Sequence, residues 1–377
     1  PRADAQLRPD QALVQMGRGI NLGNTLEPPT EGAWNNGPAQ EYYFDDYVAA
    51  GFKTVRIPIR WDQHTQSSSP FAVDAAWMNR VEEVVDWGLS RDLLIIINAH
   101  HEQWIKENYS DAIARARFDS IWSQISTRFR DKSDKLLFEI INEPYGMTRT
   151  QVDNLNARIL GIIRRTNPTR IVIFSGNEWS GAAQMMAAAI PNDDYLMAYF
   201  HSYDPWEFAG NGSGTWGTES DRAAVRNQFQ QVADWSATNG IPVMISEFGA
   251  VRQADFNSCM AYYAAYVEEA VTHNVATQVW DDGGDFGVYQ REERDWNFIK
   301  DILVNTYPDG PKKLNIDVQN DSLVTLGWTN RSNQFSSIRV ERSVGGGAFE
   351  ELATIDRSAA RFVDSTVSGG LTYHYRV

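Results

Sequence analysis

Cysteine is almost missing: Cys259 stands alone among 377 residues, so no disulfide can form within the chain. It falls in a helical pattern with Met260, Tyr263, Ala264 and Val267 and reads as a buried structural thiol. No apolar run approaches the length that spans a membrane, so no membrane partner is expected. Positive charge is short. Lys and Arg number 34 against 49 Asp and Glu, a net charge of −15, and like charge repels phosphates, which disfavours nucleic acid and anionic lipid. The polar start PRADAQLRPDQ lacks the apolar stretch of a signal peptide and reads as a mature or trimmed end.

What is present is a core and many rings. Hydrophobic residues make up 42% and charged ones 22%, enough to build a soluble folded interior. The 13 Trp exceed what packing asks for. About a third of them are expected at an open surface, where aromatic faces stack on the C–H faces of sugar rings. A neutral partner suits this composition, and nothing in the chain points to oligomerisation, so a monomer is expected.

From Gly17 to about Asn305, strand-length apolar runs alternate with amphipathic helical stretches. The runs are GRGINLGN, TVRIPIRW, LLIIINAH, LLFEIINEP, RIVIFSGN, YLMAYFHSY, PVMISEFGA and ATQVWDDGG. Between them, Asp74–Arg91 and Thr150–Thr166 carry apolar residues at helical spacing. Eight strand–helix units in series predict an α/β fold, a closed parallel (β/α)8 TIM barrel. An open doubly wound sheet would carry a glycine-rich phosphate loop, and none is present. The pattern changes at YPDGPKK, residues 307–313, a linker composition. Residues 314–377 then alternate over short segments separated by turn residues, which predicts a small all-β sandwich. Domain bounds of 1–306 and 314–377 follow.

The strand ends carry the chemistry, because a barrel of this kind presents active residues there. In order they are Asn21 and Asn24, Arg56, His100 and His101, Asn142 and Glu143, His201 and Tyr203, Glu247, then Trp280. Purely structural ends would show scattered Ser, Thr and Gly. Glu143 and Glu247 close the fourth and seventh strands and face each other across a narrow mouth. Two carboxylates flanking a glycosidic bond about 5–5.5 Å apart hydrolyse it with retention, whereas roughly 6.5–9.5 Å admits a water and inverts. The narrow mouth favours retention. Arg56 is the cation that keeps a nucleophile charged, and Asn142 is placed to hold a 2-hydroxyl. Glu139 is expected to be ion-paired inside the barrel.

His100, His101 and Glu102 raise the question of a metal. Adjacent strand residues point to opposite sides, and the first strand lacks the His-x-His of barrel metallohydrolases, so no metal and no other cofactor is expected. His201 and Tyr203 share one face, where Tyr203 can hydrogen-bond the nucleophile. Trp280 is a candidate floor for the sugar. Trp206 and Trp216 flank AGNGSGTWG and either meet substrate or anchor that loop. Asp281 and Asp282 either bind hydroxyls or cap the next loop. Asn24 and Glu27 lie where further sugars can be reached.

With GRGINLGNTLE, VRIPIRW, NAHHE, FEIINEP, FHSYDP, ISEFGA and VWDDGGDFGVY in order, the chain resembles glycoside hydrolase family 5 of the clan A barrels, over about Leu13 to Tyr307. The resemblance implies a retaining endo-acting β-glycanase with Glu143 as acid/base and Glu247 as nucleophile. The rest of that family's active-site pattern falls on Arg56, His100, Asn142, His201, Tyr203 and Trp280. Similarity to bacterial cellulases favours β-1,4-glucan, a secreted setting, and a polysaccharide or oligosaccharide partner. Mannan, xyloglucan and a non-catalytic sugar-binding barrel are the alternatives. After Trp280 the chain departs from the bulkier residues common there, and the glycines of Asp281-Asp282-Gly283-Gly284 are expected to open that side of the cleft. Trp328 and the ending Tyr373-His374-Tyr375-Arg376-Val377 resemble a fibronectin type III sandwich. That fold has a further strand, so the natural protein is expected to continue past Val377.

Overall fold

Eight short parallel strands close on themselves: β1 Arg18–Asn21, β2 Thr54–Ile57, β3 Leu94–Asn98, β4 Leu136–Glu139, β5 Val172–Phe174, β6 Leu196–Ser202, β7 Val243–Phe248 and β8 Ala276–Val279. The first pairs with both the second and the eighth, which closes the (β/α)8 barrel. The computed structural model describes residues 6–307, 311–329, 337–356 and 358–377. Every residue of β2, β3, β4 and β6 is buried, as expected of strands with the barrel interior on one side and helices on the other.

Local chemistry starts the helices where the sequence indicates. The Asp74 carboxylate accepts the Ala76 N–H at the head of Ala75–Leu89. Thr148 and Gln151 cap each other at the head of Arg149–Ile163, satisfying donors that have no partner in the first turn. Arg170 satisfies acceptors instead. Buried just before β5, it donates to the carbonyls of Phe129, Lys132 and Leu136 at 3.1, 2.9 and 3.0 Å.

One element lies ahead of the expected start of the barrel. Helix Pro9–Met16 buries Ala12, Leu13 and Met16 against Leu94, Ile96, Leu137, Ile171 and Met244. Leu94 opens β3 and Leu137 is the second residue of β4, so the helix packs against the amino-terminal end of the barrel. The carboxyl-terminal mouth is left for chemistry.

The strands are shorter than the sequence pattern suggests. Regular pairing in β4 ends at Glu139, and Glu143 stands four residues further on with φ +39°. Pro144 removes a donor there and the chain turns away. Likewise β3 ends at Asn98, so His100 and His101 are not alternating strand residues. Their rings meet edge to face at 4.7 Å.

The chain divides into two compact units, Pro1–Asp295 and Trp296–Val377, a boundary eleven residues before the expected linker. Helix Ile299–Asn305 belongs to the second unit, where Arg376 donates to Asp301 at 2.9 Å. Residues 308–310 of the expected linker lie outside the described residues. Among its described residues the second unit forms two small antiparallel sheets from β9 Lys312–Asn320, β10 Leu323–Thr329, β11 Ser337–Val344, β12 Glu350–Asp356, β13 Arg361–Asp364 and β14 Tyr373–Arg376. The sheets are ordered β9-β10-β13 and β12-β11-β14. Val324, Leu326 and Trp328 of one sheet and Ile338 and Val340 of the other share one buried cluster.

Candidate active site

Arg56 organises the mouth. It is fully buried, and all five of its N–H groups are spent. Nε and Nη2 bind Glu139 at 2.8 and 2.6 Å, Nη1 binds Asn21 at 2.9 Å and Glu247 at 2.7 Å, and Nη2 also reaches Asn142 at 2.7 Å. A buried guanidinium is tolerable only when paired this completely. Burial pushes it down, but the Glu139 and Glu247 carboxylates outweigh that and hold it above its ordinary range. Glu139 is therefore a counter-ion inside the barrel, fixed further by Asn98 Nδ2 at 2.9 Å.

Glu247 accepts from Arg56 and, on its other oxygen, from the Tyr203 hydroxyl at 3.0 Å. Glu143 accepts from His201 Nδ1 at 2.8 Å, and His201 Nε2 meets Ser246 Oγ at 2.9 Å. One local irregularity makes this possible. Between β6 and β7 the register jumps, pairing Phe200 with Ile245 but His201 with Glu247, so Ser246 is an extra residue. A bulge of this kind lets neighbours on one strand serve the same side, and Ser246 and Glu247 both meet His201. Carboxylate oxygens of Glu143 and Glu247 and a nitrogen of His201 lie within 4.8 Å of one another. The spacing alone resembles a metal site. Both His201 nitrogens and the Glu247 oxygens, however, are already engaged with protein partners.

Glu143 is held at its main chain as well. Its N–H donates to the Tyr199 hydroxyl at 3.2 Å, and that hydroxyl donates to the Ile141 carbonyl at 2.6 Å. A positive φ at a non-glycine residue is costly and persists only where surroundings fix it. The carboxylates differ electrostatically. Burial raises Glu247, His201 and Arg56 pull it back, and the Glu143 charge lifts it further, leaving it above its ordinary value. Burial also pushes Glu143 up, but its hydrogen bond to His201 prevails and holds it below.

Trp280 lies flat on His100, with ring centres 5.9 Å apart and planes 8° from parallel. Burial drives the His100 imidazole well below its usual range, and it drives His101 down to about 4, so both are neutral rings at ordinary pH. Asn98 Nδ2 contacts His100 Nδ1 at 3.1 Å. Asn142 has its carbonyl oxygen taken by Arg56, which leaves its NH2 group to donate elsewhere.

Glu27 falls away from the expected contact, and Asp281 and Trp216 take the loop-holding alternative. Glu27 is fully buried and spends its two oxygens on the N–H groups of Asn24 and Thr25. It shapes the loop after β1, because main-chain donors buried there need an acceptor. Asp281 is equally buried and accepts from Gly283 at 3.2 Å and Val288 at 2.9 Å, which makes it the cap of the loop after β8. Trp216 is buried edge-on against Tyr262 and its main-chain N–H donates to Ser258 Oγ, anchoring its loop. Asn24 stays near the surface, donating to Asn35 at 3.1 Å.

The glycines after Trp280 do not open the cleft. A Cβ on Gly283 would stand 1.9 Å from Asn36 Oδ1, and one on Gly284 2.6 Å from Asn35 Nδ2. Both asparagines donate to the Asp282 carbonyl, at 2.8 and 3.0 Å. Glycine here lets the loops after β1 and β8 close on each other. Sequence reading also passed over Ser246, Asn98, Tyr199 and the exposed rings of Trp34, Tyr145 and Trp179. Tyr145 and Trp179 stack at 4.4 Å, and Trp34 meets His101 edge-on at 5.5 Å. Their exposure, 46%, 47% and 58% for Trp34, Tyr145 and Trp179, was the missing signal.

Residues 17–285 match the family model described as Cellulase (glycosyl hydrolase family 5). Endoglucanase H of Acetivibrio thermocellus is 47% identical over 310 residues, 80% of this chain and 34% of that protein. The chain thus spans about a third of that relative's length. Among solved structures, a tri-modular GH5 (subfamily 4) endo-β-1,4-glucanase from Bacillus licheniformis superposes with a TM-score of 0.82 at 31% identity, covering 98% of this chain and 77% of its own. Thermotoga maritima Cel5A in complex with mannotriose gives 0.74 at 31% identity, covering 78% and 98%.

Proposed function

Because the chain belongs to the cellulase family, glycosyl hydrolase family 5, we propose that it cleaves internal β-1,4 bonds of glucan with retention, through a glycosyl ester on Glu247. The close approach of the two carboxylates carries this reading, since it leaves no room for a water between sugar and nucleophile. Glu247 attacks the anomeric carbon while Glu143 gives its proton to the departing glycosidic oxygen. Glu143 then takes a proton from water as that water attacks the same carbon and frees Glu247. Arg56 and Tyr203 keep two donors on the attacking carboxylate. The free site orders the carboxylates the other way, and substrate reverses this. The Glu143 side chain is 26% exposed, and a sugar covering it removes water and favours its protonated form. Trp280 and His100 supply the floor beneath the reacting ring, and the Tyr145–Trp179 pair floors the leaving-group side, next to Glu143.

A polymer substrate supports action outside the cell, and one chain supplies every side chain named, which supports a monomer. The terminal unit supports a fibronectin type III-like sandwich: its first, second and fifth strands share one sheet, and its fourth, third and sixth share the other. The test is product stereochemistry on soluble β-glucans, followed by proton NMR. The β-anomer should appear first, and Glu143→Gln should cut turnover of unactivated glucan by roughly 10²–10⁴-fold with binding kept. Initial α-anomer would overturn retention. Faster cleavage of mannan or xyloglucan than of glucan would move the substrate to that polymer.

A further inference from the structure

Lys106 is an anomaly that the chemistry above does not use. It lies on the short helix Gln103–Glu107 after β3, is 6% exposed, and donates to the His100 carbonyl at 3.3 Å. That carbonyl is a neutral partner, and no carboxylate stands in ion-pair contact with the ammonium among the described residues. An unpaired buried ammonium is expensive. The charged and titratable groups around it are Glu102 in the preceding turn, His100 and His101 beyond β3, Glu143 beyond β4, and Glu247 on β7. His100 and His101 are neutral, so the field of Lys106 falls on the carboxylates. Burial pulls the ammonium down to about 8, so it is charged through the neutral and acid range.

We propose that Lys106 is a positioning residue for the hydrolytic reaction, whose buried, unpaired charge acts at a distance on both Glu143 and Glu247 and sets the pH range in which the pair can work. A nearby cation favours ionised carboxylates. With Lys106 charged, Glu247 stays ionised to lower pH and Glu143 surrenders its proton at lower pH, so both edges of the working range sit lower than they otherwise would.

The inference rests on the hydrolytic reading but has a test that does not. The two carboxyl groups are titrated by carbon-13 NMR in the full chain, with Glu143→Gln and Glu247→Gln for assignment, beside pH–rate profiles on an aryl cellobioside. Lys106→Met keeps the apolar stem and removes the charge. Both carboxyl titrations and both limbs of the rate profile should move up together by about half to one pH unit. Lys106→Arg should leave them in place, and Lys106→Gln should repeat the Met result should the Met variant fold poorly. Unmoved carboxyl titrations in the neutral variants overturn the inference whether or not the chain turns over substrate. Limbs in place with a several-fold rise in KM would overturn it too, making Lys106 a substrate contact.

Discussion

At the scale of single residues, the site is governed by how completely each polar atom is engaged. Arg56 spends all five donors and cannot move, whereas Glu143 keeps one face to solvent. That difference predicts a pH signature. Since His201 holds Glu143 low in the free site and substrate removes its water, the Glu143 carboxyl should titrate about one pH unit higher with a non-hydrolysable oligosaccharide analogue bound than in the free chain, read by carbon-13 NMR. Coincident titrations would show that covering the carboxyl changes nothing. Glu27 and Asp281 teach the converse lesson. A carboxylate at a strand end resembles a sugar ligand in sequence, but both are consumed by buried N–H groups.

At the scale of elements, the bulge in β7 and the clasp between two loops decide what the barrel can hold. The clasp is testable through Gly283, whose φ of +64° and closeness to Asn36 both resist a side chain. Gly283→Ala must push away Asn36, whose Nδ2 also donates to the Gly23 and Asn24 carbonyls at 3.2 Å. The expected cost is about 1–3 kcal/mol, read as a lower Tm. Because Trp34 rides on the loop after β1, cleavage of long oligosaccharides should suffer more than that of a short aryl glycoside. Equal losses on both would detach the clasp from substrate binding.

For the whole molecule, stability against pH reflects opposed buried groups. Glu27 and Glu102 are pushed up to about 7 by burial. Their folded pKa lies above the unfolded one, so their contribution is present below about 4.5 and lost as pH rises through 7. His100, His101 and His64 are depressed and act oppositely, losing stability as pH falls below about 6.5. The two sets offset each other, so Tm should be nearly level from about pH 4.5 to 6.5 and fall steeply below about 4, where the ion-paired Asp46, Asp193 and Asp364 also protonate. Glu102→Gln removes one term that opposes high pH. Its Tm relative to the parent chain should therefore rise between pH 4.5 and 7.5, and a difference independent of pH would show that Glu102 does not titrate there.

The linear order of residues determined the eight-strand barrel, because apolar runs of strand length alternating with amphipathic helices admit few packings that bury both. It also determined the chemistry at the strand ends, since Arg56, His201 and Glu247 each stand one residue before the end of their strand and Tyr203 and Glu143 come just after theirs. Folding alone decided which polar residues reach the mouth. The anchoring of Trp216 on Ser258, the register jump at Ser246 and the closing of Gly283 on Asn36 all depend on segments far apart in sequence. Contact between such segments leaves no periodic mark on the chain, and a hydrogen bond chooses its partner only after the packing has brought the two together.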